Sequence, residues 1–478
     1  MKLLYRRCAG MDIHKKSISV CVRQRVAGKK EAQIEEAVFG TFTQDLERLG
    51  QWLKERKVKQ VAMESTGVYW IPVWNILERK KWKLELMLVN PATVRALRGQ
   101  KTDRIDARRI AEYLQYGLLR ASFIPPKPVR QLRELTRMRV HVQQDRNRIV
   151  NRIGRLLETV NIKLGSVASN IVGKSGHAIL ERLAQGSANA EELANLARGT
   201  LKKKIPDLVA ALNGRPDEHF RWTLKRLLRR LESQDTELAE LDARLCEKYA
   251  EHADLLQRLC TIPGVEITTA RVLLAELGTD MSQFPTAAHA ASWAGLCPGN
   301  AESAGKRFSG KTRKGDRYLR RILVQSAWAA SRAKDCILAA AFRRTAQRRG
   351  RKKATLATAH RILRIVWSII RNGTEYAERG GDHFDQLHPE RTATKLLRRL
   401  ERIGFDVEIK NRRGRPPGSK NKPKPPVANP VANPVANRVL RQECERCWRL
   451  AVRGHCICLL KRSKKNTPAL LTPEQSAT

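Results

Sequence analysis

Strands and helices alternate through the first 110 or so residues, and that alternation restricts the fold more than any other feature. Runs at 12–25 and 34–42 alternate apolar and polar residues as paired strands do. Thr43 to Arg56 then has helical periodicity, with Thr43 as the expected N-cap and Gln44, Asp45 and Glu47 in the first turn. A strand over 58–63, a Trp-rich helix over 69–80, a strand over 83–89 and a helix opening near Asp103 follow. This β-β-α-β-α-β-α order predicts a layered sheet-and-helix domain, because each apolar sheet face must be covered.

Four carboxylates punctuate that order. Asp12 falls at the head of the β-type run Met11-Asp12-Ile13-His14-Lys15-Lys16, and Glu64 closes the run Val58 to Glu64. Asp103 and Asp106 form an i, i+3 pair where a helix begins. Such carboxylates can hold hard divalent cations beside a phosphate. Two Mg²⁺ ions so held can clamp the attacking and leaving oxygens of a phosphodiester. Strand ends would gather Asp12 and Glu64 at one sheet edge, with the helical pair following. That is the organisation of a ribonuclease-H-like nuclease core.

The charge points the same way. Lys and Arg number 93 against 47 Asp and Glu, a formal net charge of +46 that calls for a polyanionic partner. No run of about 18 apolar residues could span a bilayer. The opening Met1-Lys2-Leu3-Leu4-Tyr5-Arg6-Arg7 is too short and polar for a secretory signal. Six of the ten cysteines scatter over 8–336 without a disulfide framework. These features suggest a reduced, cytoplasmic protein.

Beyond the first domain, residues 129–165 and about 219–259 are long charged helical stretches. They suit either a dimerising coiled coil or an intramolecular bundle. The turn Pro263-Gly264-Val265 resembles a helix-hairpin-helix, whose N–H groups can grip a phosphate; an ordinary helix–helix turn is the alternative. Helix returns over 317–400. Trp70, Trp74 and Trp293 are expected in the core. Arg412-Arg413-Gly414-Arg415-Pro416 looks like an AT-hook, suited to a narrow A·T minor groove. A Val-Ala-Asn-Pro repeat over 427–437 follows, then Cys444, Cys447, His455, Cys456 and Cys458. Those five could ligate Zn²⁺, but they lack the usual paired spacing.

One ordered set of motifs resembles a known family. It comprises Met11-Asp12-Ile13-His14-Lys15-Lys16, Met63-Glu64-Ser65-Thr66-Gly67, Lys101-Thr102-Asp103-Arg104-Ile105-Asp106-Ala107 and Ile262-Pro263-Gly264-Val265. Next come Ala294-Gly295-Leu296-Cys297-Pro298-Gly299-Asn300, Glu302-Ser303-Ala304-Gly305-Lys306 and Arg313-Lys314-Gly315-Asp316-Arg317-Tyr318-Leu319-Arg320. The element from Phe384 to Arg391 ends the series. In this order they resemble the DEDD insertion-sequence transposases of the IS110 family, over roughly residues 8–408.

The resemblance implies an α/β plus all-α chain. A ribonuclease-H/RuvC-like domain would occupy 8–122 and a long helical connector 123–258. A helical C-terminal serine transposase domain with the helix-hairpin-helix-like element would occupy 259–408; the basic tail over 409–478 lies outside the resemblance and is expected from its composition to be disordered. The family carboxylates fall on Asp12, Glu64, Asp103 and Asp106, as catalytic residues and metal ligands for Mg²⁺, with Mn²⁺ as a substitute. The family serine falls on Ser303, and Ala304 departs from the glycine common in relatives without removing that nucleophile. Attack by Ser303 would give a phosphoseryl-DNA intermediate and strand exchange. Lys306, Arg307, Lys311, Arg313, Lys314 and Arg317 follow closely and suit DNA phosphates, as Arg413 and Arg415 do in the tail.

Partners implied are the element's DNA ends and target, a structured guide RNA, and further copies in a homodimer or tetramer. The setting implied is a bacterial or archaeal nucleoid. A site-specific invertase, a junction resolvase using metal-activated water and an inactive nucleic-acid-binding remnant are the competing expectations.

Overall fold

The computed structural model of the 478-residue chain describes residues 3–26, 31–64, 67–90, 103–186, 189–299, 301–303, 306–312 and 314–405. At 103–105, 301–303 and 306–309 it describes the backbone. The chain forms two units, Met1–Pro126 and Lys127–Thr478. The AT-hook-like motif, the repeat and the Cys/His cluster lie outside the described residues.

The first unit contains β1 (Arg7–Ile13), β2 (Ser17–Gln24), β3 (Gln33–Gly40), α1 (Thr43–Glu55), β4 (Gln60–Glu64), α2 (Trp70–Leu77), β5 (Glu85–Val89) and α3 (Asp103–Gln115). Its five strands form one sheet in the order β3-β2-β1-β4-β5. β1 pairs antiparallel with β2, and β2 with β3, whereas β1, β4 and β5 run parallel. This strand order, with these directions, is that of a ribonuclease-H-like sheet.

Two local expectations are corrected. The run 12–25 is not one strand. β1 ends at Ile13, the chain turns with the His14 N–H donating to the Ser17 carbonyl at 2.9 Å, and β2 returns beside it. Three strands therefore precede α1, and Asp12 lies near the end of one rather than at the head of another. Thr43 is also not the N-cap. It is the first residue of α1, Phe42 stands at the cap, and the Asp45 carboxylate accepts the Phe42 N–H at 3.3 Å.

Strand alternation sorts the sheet into two faces. Met11, Ile13, Val61 and Met63 share a core with Leu46, Leu49 and Leu53 of α1 and Val73 and Leu77 of α2. Trp70 and Trp74 pack against it at its border. Cys8, Cys21 and Ala62 lie on the other face with Ala107, Ile110, Ala111 and Leu114 of α3. There the helix presses on β1 so closely that a Cβ on Gly10 would lie 2.3 Å from the Ala111 nitrogen and 2.4 Å from the Ala107 oxygen.

The second unit opens with α4 (Lys127–Thr159), α5 (Leu164–Val167), α6 (Lys174–Gln185), α7 (Ala190–Asn195), α8 (Ile205–Leu212) and α9 (Glu218–Lys248). The long helices pack on one another within the chain. Ile149, Ile153 and Leu157 of α4 share a core with Leu224, Leu228 and Leu231 of α9, closed by Ile179, Leu183, Leu193 and Leu208 from the shorter helices. Arg139 meets Asp242 at 2.6 and 2.9 Å, and Arg146 meets Asp235, so α4 and α9 run antiparallel.

Then come α10 (Ala253–Cys260), α11 (Ile267–Leu277), α12 (Ala287–Trp293), β6 (Ala301–Ser303), β7 (Lys306–Ser309), α13 (Arg317–Ala330), α14 (Ile337–Arg349), α15 (Arg351–Asn372), α16 (His383–Gln386) and α17 (Pro389–Arg402). α11 is buried along most of its length and packs on α4, α10 and α13. Among the described residues no helix is long and apolar enough to cross a membrane.

Candidate active site

In the first unit, β1 and β4 stay in parallel register through Met11 opposite Met63. Asp12 and Glu64 are the next residue on each strand, so neighbouring strand ends bring them side by side. Met11 and Met63 face α1 and α2, and alternation therefore turns both acids toward the face that α3 covers.

α3 runs back along β1. The Cys8 thiol donates to the Ala111 carbonyl at 3.3 Å, and Arg23, opposite Cys8, donates to Gln115 at 3.2 Å and Glu112 at 3.3 Å. The end of α3 thus covers the start of β1. Two strand residues advance about 6.6 Å, which four or five helix residues match. From Gly10, held between Ala107 and Ala111, that step leads to Asp12 on the strand and to the first turn of α3 on the helix. Asp103 is the first residue of that turn, and Asp106 follows one turn on with its side chain about a fifth exposed. The free N–H groups and dipole of a helix start favour the negative charge gathered there.

Asp12 is deeper than Glu64 or Asp106, only 6% exposed, and the half-exposed His14 ring places Nε2 3.1 Å from its Oδ2. Arg109 Nη1 stands 3.9 Å from Asp106. Asp12, Glu64 and Asp106 offer the oxygen donors that suit a hard cation such as Mg²⁺ or Mn²⁺. Their carboxylates do not converge on one point; among the described residues the group whose ligand atoms all lie within 4.8 Å of one another is His177, Glu181 and Glu232. The thiols of β1 and β2 do not suit such a cation. Burial pushes the Cys8 thiol up to about 12 and the Cys21 thiol to about 11, so both stay protonated at neutral pH.

Ser303 belongs to the second unit. It is the last residue of β6, paired with Lys306 across the β6–β7 hairpin. Sequence reasoning named the serine without its hairpin. The hairpin's foot is closed where the Gly299 N–H donates to the Lys311 carbonyl at 2.8 Å and Pro298 bridges Thr312. Behind it Gly315 abuts the Gly295 backbone, and the Asp316 N–H donates to the Trp293 carbonyl at 3.2 Å. Asp316 also caps α13, accepting the Leu319 N–H at 2.7 Å.

A buried ionic fork holds that foot. Glu276 on α11 has no exposed surface, and Arg137 of α4 grips both its oxygens at 2.8 Å while reaching Asp316 at 3.2 Å. Arg133 lies 3.2 Å from the same carboxylate. Nothing at sequence level marked Arg133, Arg137 or Glu276, because their pairing joins residues about 140 apart in the chain.

The basic residues around the serine divide. Lys306 and Arg307 lie on β7, Lys311 and Lys314 are exposed, and Arg317 opens α13 with its guanidinium donating to the Tyr318 hydroxyl at 2.8 Å. Arg313, Arg413 and Arg415 lie outside the described residues. The Pro263-Gly264 turn packs inward. Gly264 has φ +83°, and a Cβ there would lie 2.4 Å from the Ser326 oxygen on α13. Glu266 stands at the start of α11, where a phosphate would have to sit. The ordinary helix–helix turn is the reading this favours.

Comparison with known proteins adds an independent line. A DEDD transposase model of IS110 type matches residues 9–162, and a model described as "Transposase IS116/IS110/IS902 family" matches residues 256–342. A probable family 20 transposase of Pseudomonas aeruginosa is 27% identical over 66% of this chain and 85% of its own. The transposase for insertion sequence IS1328 of Yersinia enterocolitica is 25% identical over 62% of this chain and 79% of its own. The 43.6 kDa protein of insertion element IS110 from Streptomyces coelicolor is 37% identical, but the match spans only 25% of this chain and 30% of that protein. RuvC of Thermus thermophilus is similar in structure over 24% of this chain and 99% of its own, at 15% identity and a TM-score of 0.20. With two transposase models matched in order along it, this chain belongs to the IS110 family of transposases, a family of DNA-recombining enzymes.

Proposed function

We propose that the chain is a divalent-metal-dependent DNA transposase that cuts and exchanges strands through Ser303. The position of Asp12 and Glu64 at the ends of the neighbouring strands β1 and β4, with the start of α3 leading toward Asp12, supports this reading. Asp12, Glu64, Asp103 and Asp106 would hold Mg²⁺. When bound, the cation would supply neutralisation of the charge developing on the scissile phosphate.

The Ser303 hydroxyl attacks phosphorus, its proton passing to solvent, and the bond from phosphorus to the 3′-oxygen breaks. That oxygen leaves as a 3′-hydroxyl while the phosphate stays on serine. A 3′-hydroxyl from a partner strand then attacks the phosphoserine and releases the serine, so the number of phosphodiester bonds is conserved. Lys306, Arg307, Lys311, Arg313, Lys314 and Arg317 neutralise the phosphates around the hairpin. A structured guide RNA and assembly as a dimer or tetramer complete the proposal. Strand choice by base pairing would spare the protein a base-reading helix.

The test incubates the protein, Mg²⁺, DNA of the element's end junction and co-expressed RNA. A DNA-linked protein band is expected, lost in Ser303→Ala, in Asp103→Ala and with EDTA. Metal-dependent nicking that survives Ser303→Ala would replace this mechanism with a water-using nuclease.

A further inference from the structure

We infer that the exposed face of the α4–α9 pair binds an unpaired strand of DNA. This rests on the DNA-exchanging function proposed above but not on its serine chemistry. Residues 139 and 146 of α4 stand opposite 242 and 235 of α9, so 148 faces 233 and 152 faces 229. Between them lies a cleft of about 400 Å³ lined by Asp145, Arg148, Ile149, Arg152, Arg230, Ser233 and Gln234. Asp145 is its one acid and already pairs with Arg148. Of the other nearby acids, Asp235 is held by Arg146, Glu158 by Lys163, and Glu237 accepts from the lining Gln234, while the exposed Glu232 gathers with His177 and Glu181.

Among the described residues Arg152 and Arg230 make no ion pair, and they share one cleft with Arg229 exposed beside them. Like charges lining one cleft repel one another, and an anion in the cleft relieves that repulsion. Arginine forks match phosphate oxygens, and Ser233 and Gln234 add neutral donors.

Further along the same face of α9, Lys225 and Arg226 are exposed, and Trp222 ends the stripe at 62% exposure with the Arg226 guanidinium 5.6 Å from its ring centre. The spacing from Trp222 through Arg226, Arg229 and Arg230 to Ser233 keeps these residues on one side of the helix over about 16 Å. A projecting indole beside a row of cations offers a base a stacking platform next to phosphate sites. A duplex keeps its bases stacked on one another, so the platform selects an unpaired strand.

DNA is the occupant because strand exchange opens a DNA strand from its complement. α4 also connects the two places directly. Arg137 clasps Asp316 at the foot of the Ser303 hairpin, and Arg148 and Arg152 lie about 16 and 22 Å further along the same helix.

The test measures binding of the full chain to a fluorescein-labelled 20-nucleotide single-stranded DNA, to RNA of the same sequence and to a 20-base-pair duplex, across a salt series. The variants are Arg152→Gln/Arg230→Gln, Trp222→Ala, Trp222→Phe and Ser303→Ala. For single-stranded DNA, Trp222→Ala should weaken binding about tenfold and Trp222→Phe should restore most of it. The arginine double variant should reduce the salt slope by about 1.4, two phosphates' worth. Duplex binding should change less than twofold, and Ser303→Ala should bind like the parent, which separates this proposal from the catalytic one. Unchanged single-strand binding in the Trp222 and arginine variants overturns the proposal. Equal losses on duplex overturn it too, and a loss confined to RNA assigns the groove to RNA instead.

Discussion

Glu276 shows what one buried charge does in this chain. Burial pushes its carboxyl pKa up, while the Arg137 fork pulls it back. Burial likewise works against the Arg137 charge, but the hydrogen bonds to Glu276 and the field of Asp316 outweigh it and leave the guanidinium pKa raised. The ionised pair is the state that fits both the geometry and the raised arginine. Removing one partner is then worse than never having the pair, because Arg133 and Arg137 lose the carboxylate they share and Asp316 alone remains against Arg137. Glu276→Ala should lower stability by about 3 kcal/mol, read as a shift in the urea-unfolding midpoint. Glu276→Leu/Arg137→Met removes one of the two arginine charges along with the carboxylate and should recover part of the loss. If the double variant proves less stable than Glu276→Ala, the fork contributes through packing rather than charge. The same fork ties α4 to the foot of the serine hairpin, so Glu276→Ala should also impair strand transfer by a protein that still binds DNA.

At the scale of elements, the helix α3 and the strand β1 are joined through a residue with no side chain. Any Cβ on Gly10 meets the backbone of α3, which cannot swing aside as a long side chain would. Gly10→Ala should therefore cost about 1–3 kcal/mol as overpacking. It should reduce DNA cleavage by more than that, because the displaced helix carries Asp103 and Asp106. Unaltered unfolding and cleavage in this variant would show that α3 does not depend on the close approach.

This contact also explains what could be read from the residues alone. Asp12, Glu64 and the Asp103–Asp106 pair stood out because carboxylates are conspicuous at the ends of apolar runs. β1 is hard to read as a separate strand because Cys8 and Gly10 are small for a reason that lies about a hundred residues away, in α3. The hairpin that carries Ser303 was invisible because its strands are only three and four residues long. The arginine cleft was hidden for a further reason. Arg152 and Arg230 each look like an ordinary exposed helix charge until the antiparallel register of α4 and α9 sets them together.

For the whole molecule, the charge of +46 has consequences that no single site controls. Sixteen of the 93 Lys and Arg and five of the 47 acids fall after Phe405, so most of the positive excess stays with the rest of the chain. Non-specific DNA affinity follows the number of phosphates neutralised and weakens steeply with salt. Ending the chain at Phe405 should therefore flatten the salt dependence but leave substantial binding to any duplex. Selectivity for A·T-rich DNA should behave differently if Arg413 and Arg415 work as an AT-hook. An arginine in a narrow minor groove depends on the groove's width and negative potential, which A·T tracts supply and G·C-rich DNA does not. Arg413→Ala/Arg415→Ala should abolish a preference for A·T over G·C duplexes in competition binding and reduce the salt slope by about two units. The truncated chain should show the same lost preference. A preference that persists in the double variant would move A·T recognition elsewhere in the chain and leave the tail contributing charge alone.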